Sequence, residues 1–167
     1  WKALNKALVQ TGKITVTIFF IIAASLTFSQ ILAFSGATGG MLSLLNSFEL
    51  TPLVVVLGML IVVLILGCLM DPLSIILITL PFFIPLVRQV GVEPVWFGVL
   101  MLVALEVGQT TPPFGLLLFT MKSVAPPSTT MRQIYMAAAP FTLMQMIAIA
   151  LIVAFPLLGT WLPNLSR

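Results

Sequence analysis

From Pro52 to Val87 the chain carries a single charged side chain, Asp71. Two apolar runs, Pro52–Met70 and Leu73–Val87, are joined through Gly67-Cys68-Leu69-Met70-Asp71-Pro72, a turn with no basic residue and no polar loop. In hydrocarbon each backbone N–H and C=O must find its partner inside the protein. The simplest object with these properties is a re-entrant helical hairpin over 52–87, its tip received by protein or by a water-filled cavity within the membrane. A pair of full spans would have the same parity.

Composition agrees. Apolar residues make up 60% of the chain and charged residues 7%, with a mean hydropathy of +1.24, against about 25% charged in soluble domains. The expected class is an all-α integral membrane protein. There is no histidine and only one cysteine, Cys68, which excludes disulfide frameworks, zinc sites and His-based catalysis. The seven basic residues are scattered and form no stripe that could track phosphates. No nucleic-acid partner is expected, and they are read as topology signals in a lipid bilayer.

The other segments divide by the same reading. Residues 1–13, with Trp1, Leu4, Leu8, Lys2, Lys6 and Lys13, resemble an interfacial amphipathic helix. Residues 14–34 are uncharged and long enough to span. Residues 35–51 form a connecting loop with a short helix around Met41–Leu45, too short to cross. A discontinuous transmembrane helix covers 95–122, an interfacial turn 126–135 and a final span 136–158. The chain begins with Trp rather than Met, and a fragment is expected. With Lys2, Lys6, Lys13, Lys122 and Arg132 on one side and Arg88 and Arg167 on the other, the N-terminus is expected in the cytoplasm and the C-terminus in the periplasm. The three tryptophans fit an aromatic belt.

The discontinuity at Gly108-Gln109-Thr110-Thr111-Pro112-Pro113-Phe114-Gly115 is the sharpest functional signal. Two successive prolines remove two N–H donors and end the helix at Thr111. Carbonyls are left beside hydroxyls in mid-span, an oxygen set suited to a hard monovalent cation such as sodium. The plain alternative is a proline kink with threonines bonded back to the preceding turn. Asp71 and Glu106 are candidate functional carboxylates, because a charge at a helix centre costs about 2.5–3.5 kcal/mol on translocon scales. Asp71 could equally cap the helix that starts at Pro72, and Glu106 could pair with a residue elsewhere in a larger molecule. Ser25, Thr27, Ser29 and Gln30 are read as packing contacts.

Gly67-x3-Asp71, Leu80-Pro81-x3-Pro85, Gly91-Val92-Glu93-Pro94-Val95-x-Phe97-Gly98-Val99 and Thr111-Pro112-Pro113-x-Gly115, in that order before a last span, resemble the C-terminal part of the DctM-like large membrane subunit of tripartite ATP-independent periplasmic (TRAP) transporters. The resemblance covers essentially the whole chain. It departs at Glu93, where the family often has Asp. It implies one half of an inverted-repeat, elevator-type importer of the bacterial or archaeal inner membrane, coupled to sodium and needing no other cofactor. The ion and substrate site it implies includes Gly67, Asp71, Gly108, Gln109, Thr110, Thr111, Pro112, Pro113 and Gly115, with sodium held at Thr110, Thr111 and nearby carbonyls. The implied partners are a small membrane subunit and a periplasmic substrate-binding protein that delivers an organic acid such as a C4-dicarboxylate or a sugar acid. No catalytic residue is expected. The alternatives are a binding-protein-independent sodium-coupled carboxylate or ion transporter, and a non-transporting structural subunit.

Overall fold

The computed structural model describes residues 1–36, 39–40, 43, 50–113 and 115–165, without the side chains of 14, 29, 32, 33 and 162–164. The expected short helix in 35–51 lies mostly outside the described residues. Seven helices organise the rest: α1 Lys2–Ser35, α2 Pro52–Gly67, α3 Pro72–Gln89, α4 Pro94–Thr110, α5 Leu116–Val124, α6 Met131–Ala154 and α7 Leu157–Leu165. Among the described residues there is no strand. Among the described residues three helices are long and apolar enough to cross a membrane, over Lys2–Phe28, Pro72–Gln89 and Met131–Ala154. The protein is an all-α membrane protein.

α4 is the centre. It buries Phe97, Leu100, Ala104 and Gly108 along one stripe, with the three- and four-residue spacing of a single helix face. α2 opposes it with Val56, Leu60, Val63 and Gly67. Side-chain size on the α4 stripe falls from Phe through Leu and Ala to Gly, so the two helices converge toward their C-terminal ends. They meet at Gly67 and Gly108. A Cβ added to Gly67 would stand 2.8 Å from the Gly108 Cα, and one added to Gly108 would stand 2.7 Å from the Gly67 Cα. Close approach through small residues is the usual way helices associate where no hydrophobic force acts between them.

α3 runs back from the end of α2 to the start of α4 and packs beside both. Pro81 within it and Pro156 at the α6–α7 corner create two other joints. Pro81 has no N–H for the carbonyl of Leu77, and Ser25 on α1 donates to that oxygen instead. Beside this bond, Phe28 and Phe82 stack edge to face with centroids 5.8 Å apart. Pro156 likewise frees the carbonyl of Ile152, which accepts from the Trp96 indole at 2.9 Å. Trp96 is thus buried at the α4–α6 joint, whereas an interfacial belt position was expected; Trp1 and Trp161 are exposed.

Several boundaries differ from the sequence reading. Residues 1–13 and 14–34 form one 34-residue helix, because nothing stronger than Gly12 interrupts it. At about 51 Å it exceeds the roughly 30 Å hydrocarbon core, so its lysine-bearing turns can lie outside that layer. The last span begins at Met131 rather than 136. Thr130 accepts from the Gln133 N–H while Gln133 Oε1 accepts from the Thr130 N–H, a capping box that starts the helix inside the expected turn.

Gly67→Ala or Gly108→Ala in the complete subunit should lower stability by about 1–3 kcal/mol through overpacking, measured as a fall in the thermal unfolding midpoint in detergent. Gly58, whose Cβ would meet nothing within 4 Å, provides the control. Gly58→Ala should leave the midpoint unchanged or raise it, and equal effects at Gly58 and Gly108 would contradict the backbone contact.

Candidate functional site

The break between α4 and α5 is an extended turn. α4 ends at Thr110, Thr111 is extended at φ −100° and ψ 137°, the Pro112–Pro113 bond is cis, and Gly115 turns left-handed at φ 57° to start α5. The prolines deprive the carbonyls of Gly108 and Gln109 of their helical donors. Gly108 O accepts from the Thr111 N–H at 3.1 Å. Gln109 O and Thr111 O both face the bare side of Gly115, 3.1 and 3.3 Å from where a Cβ would stand. Any other residue at 115 would press on those two oxygens and would also have to adopt a strained φ.

The α2 tip meets this break. Leu64 O accepts from the Cys68 N–H, and Leu66 O accepts from the N–H groups of Leu69 and Met70. The Cys68 thiol lies 3.3 Å from Leu64 O and 3.6 Å from Pro112 O, so the tip contacts the break directly. Asp71 is exposed and caps α3: its Oδ1 accepts from the Ser74 N–H at 3.0 Å and its Oδ2 from the Ser74 hydroxyl at 2.5 Å. This is the capping role that the sequence left open.

The two threonines turn back on their own helix. Thr110 Oγ1 donates toward Glu106 O or Val107 O, at 3.2 and 3.1 Å, and Thr111 Oγ1 donates to Val107 O at 2.6 Å. Such bonds use the hydroxyl hydrogen and leave oxygen lone pairs outward. The two residues open onto different spaces. Thr111 lines a cavity of about 580 Å³ with Cys68, Pro112, Pro113 and Thr142. Thr110 lines another of about 490 Å³ with Glu106, Thr120 and Gln145. Glu106 is exposed there, and Gln145 Oε1 is buried without a hydrogen-bond partner among the described residues.

Gly67, Gly108, Gln109, Thr111, Pro112, Pro113 and Gly115 therefore gather where two helix C-termini meet, and Thr110 stands at the border, lining the neighbouring cavity with Glu106. Each such end carries roughly half a negative charge. Asp71 belongs to the α3 cap, and Glu106 to the neighbouring cavity.

Sequence reasoning missed Cys68 and the inward seam of α6. Tyr135 donates to Pro113 O at 3.1 Å, and Thr142 lies 3.1 Å from Thr110 Oγ1. The spacing of Tyr135, Ala138, Thr142, Gln145, Ile149 and Ile152 is the signal that could have revealed that seam.

The chain matches the family model described as tripartite ATP-independent periplasmic transporter, DctM component, over residues 1–158. It is 34% identical over 161 residues to the C4-dicarboxylate TRAP transporter large permease protein DctM of Pseudomonas aeruginosa, covering 95% of this chain and 37% of that protein. To the ectoine TRAP transporter large permease protein TeaC of Halomonas elongata it is 29% identical, covering 93% and 36%. To the sialic acid TRAP transporter large permease protein SiaM of Vibrio cholerae it is 34% identical, covering 68% and 26%. The chain spans about 37% of the length of the first of these relatives.

Replacing Asp71 by Ala removes both bonds to Ser74 and should cost about 1 kcal/mol, read as a lower unfolding midpoint of the complete subunit. Asp71→Asn keeps an acceptor and should retain most of the stability; a midpoint unaffected by either change would mean the cap is not what holds the tip.

Proposed function

This chain belongs to the DctM family of tripartite ATP-independent periplasmic transporters, and we propose that it forms the ion-binding half of a sodium-coupled importer of organic acids. A small membrane subunit and a periplasmic binding protein complete the system. The relatives' names include C4-dicarboxylate, ectoine and sialic acid permeases, which supports a small carboxylate as the substrate class.

The observation that carries the sodium reading is the convergence of the α2 and α4 C-termini at Gly67 and Gly108. Carbonyls at unwound helix ends are the groups with which transporters of this kind coordinate sodium. Pro113 removes the N–H that would otherwise bond Gln109 O, while Gly108 O, freed by Pro112, accepts from the Thr111 N–H and keeps a second lone pair. A cation there would draw on carbonyls near Gly67, Gly108, Gln109 and Thr111 and on the hydroxyl oxygens of Thr110 and Thr111.

Sodium then acts as a cross-link. Without it, the negative ends of two helices repel; with it, the hairpin tip and the broken helix form one body and present a settled wall to the substrate. Substrate and ion stabilise each other's binding by the same coupling free energy, and that body crosses the membrane against a scaffold. α2 has 16 residues, fewer than the roughly 20 that a full span requires, which supports a re-entrant tip. The excess of basic residues supports a cytoplasmic N-terminus.

The test is uptake of labelled carboxylates into proteoliposomes holding the complete large subunit and its small partner. Uptake should require both an inward sodium gradient and the binding protein. Thr110→Val and Thr111→Val should each raise the half-saturating sodium concentration, by about tenfold if one oxygen contact is worth about 1.4 kcal/mol. Uptake with sodium but no binding protein would favour the binding-protein-independent class. Because both threonines bond back to their own turn, a purely structural break is the competing reading; it predicts altered assembly at unchanged sodium dependence.

A further inference from the structure

We propose that Tyr135 and Thr142 of α6 are positioning residues of the ion site, holding the two ends of the break at a fixed separation; this rests on the sodium reading above. The two residues stand seven apart, two turns along one face and roughly 10 Å in rise. Tyr135 grips the break at its middle, its hydroxyl donating to Pro113 O at 3.1 Å. Thr142 grips the last residue of α4, its Oγ1 lying 3.1 Å from Thr110 Oγ1. Between these two points lie Thr111 and Pro112, and with them the Thr111 carbonyl that faces Gly115.

The hydroxyl pair also has a directional property. Thr142 has one hydrogen and two acceptors in reach, Thr110 Oγ1 and Ala138 O at 3.3 Å. Thr110 has one hydrogen and two backbone acceptors, Glu106 O and Val107 O. While Thr110 gives its hydrogen to its own helix, its oxygen can accept from Thr142. That oxygen has a second lone pair, so a cation can share it while the bond from Thr142 holds. The brace can thus stay in place with the site empty or filled.

α6 has the anchorage to serve as this brace. Its other end is fixed to α4 by the Trp96 indole on Ile152 O and by Ile149 in the core. A shift of the break relative to α6 must therefore break Tyr135–Pro113 or Thr142–Thr110 rather than carry α6 along.

The experiment measures the sodium dependence of uptake for Tyr135→Phe, Thr142→Val and Thr142→Ser, made in the complete transporter with its binding protein. Tyr135→Phe and Thr142→Val should each raise the half-saturating sodium concentration about fivefold, the weight of one ordinary hydrogen bond, while the maximal rate at saturating sodium is retained. Thr142→Ser keeps the hydroxyl and should restore the original half-saturation, which a loss of packing alone would not predict. Sodium-dependent uptake with unchanged half-saturation in Tyr135→Phe and Thr142→Val would overturn this inference and leave the ion site standing. Sodium-independent uptake by the unaltered transporter would overturn the ion site and this inference together.

Discussion

Two helix backbones touch at Gly67 and Gly108, with no side chain between them. The contact fixes where α2 ends relative to α4, and so brings the hairpin tip against the broken segment. A methyl group at either position would push the two helix ends apart. The taper from Phe97 to Gly108 has the same effect from the other direction, since larger residues hold the helices apart at their start and let them close at their end. A soluble protein could leave such helix ends to water. Here the termini sit in apolar surroundings, where an unpaired carbonyl is costly.

Proline governs how those carbonyls are distributed. At Pro81, Pro156 and Pro112 the lost N–H frees the carbonyl four residues earlier, and in each case another donor answers it: Ser25 on Leu77 O, Trp96 on Ile152 O, and the Thr111 amide on Gly108 O. The first two join separate helices, so a local defect becomes a tertiary contact. The carbonyl freed by Pro113, that of Gln109, faces the glycine at 115. One chemical device thus produces both scaffold joints and the polar ground of the candidate site.

Much of this was legible beforehand because its causes are local. Uninterrupted apolar runs, Asp71-Pro72 and the double proline each act on their own few residues, and they marked the hairpin, the cap and the break. The elements that escaped notice depend on distance in the chain. Nothing near Trp96 says that it will meet a carbonyl freed by Pro156, and nothing near Thr110 points to Thr142. The threonines show a subtler limit. Their residue type indicates an oxygen set, but only the folded geometry shows that their hydrogens go to Val107 and Glu106 while Thr110 and Thr111 open onto separate cavities. At the N-terminus, charge pattern suggested a boundary at residue 13 that backbone chemistry does not create; amphipathicity describes what surrounds a helix and not where it stops.

The hold of α6 on the break also has a temporal side. A chain made from its N-terminus delivers α4, the prolines and α5 before Tyr135 and Thr142 exist. During that interval Pro113 O lacks the phenol that later covers it, and Thr110 lacks its hydroxyl neighbour. The insertion machinery must therefore shelter an incomplete polar segment until α6 arrives. Until α6 is made the break has no cover from Tyr135 or Thr142, so the arrival of that helix is the moment at which this polar segment becomes acceptable to lipid.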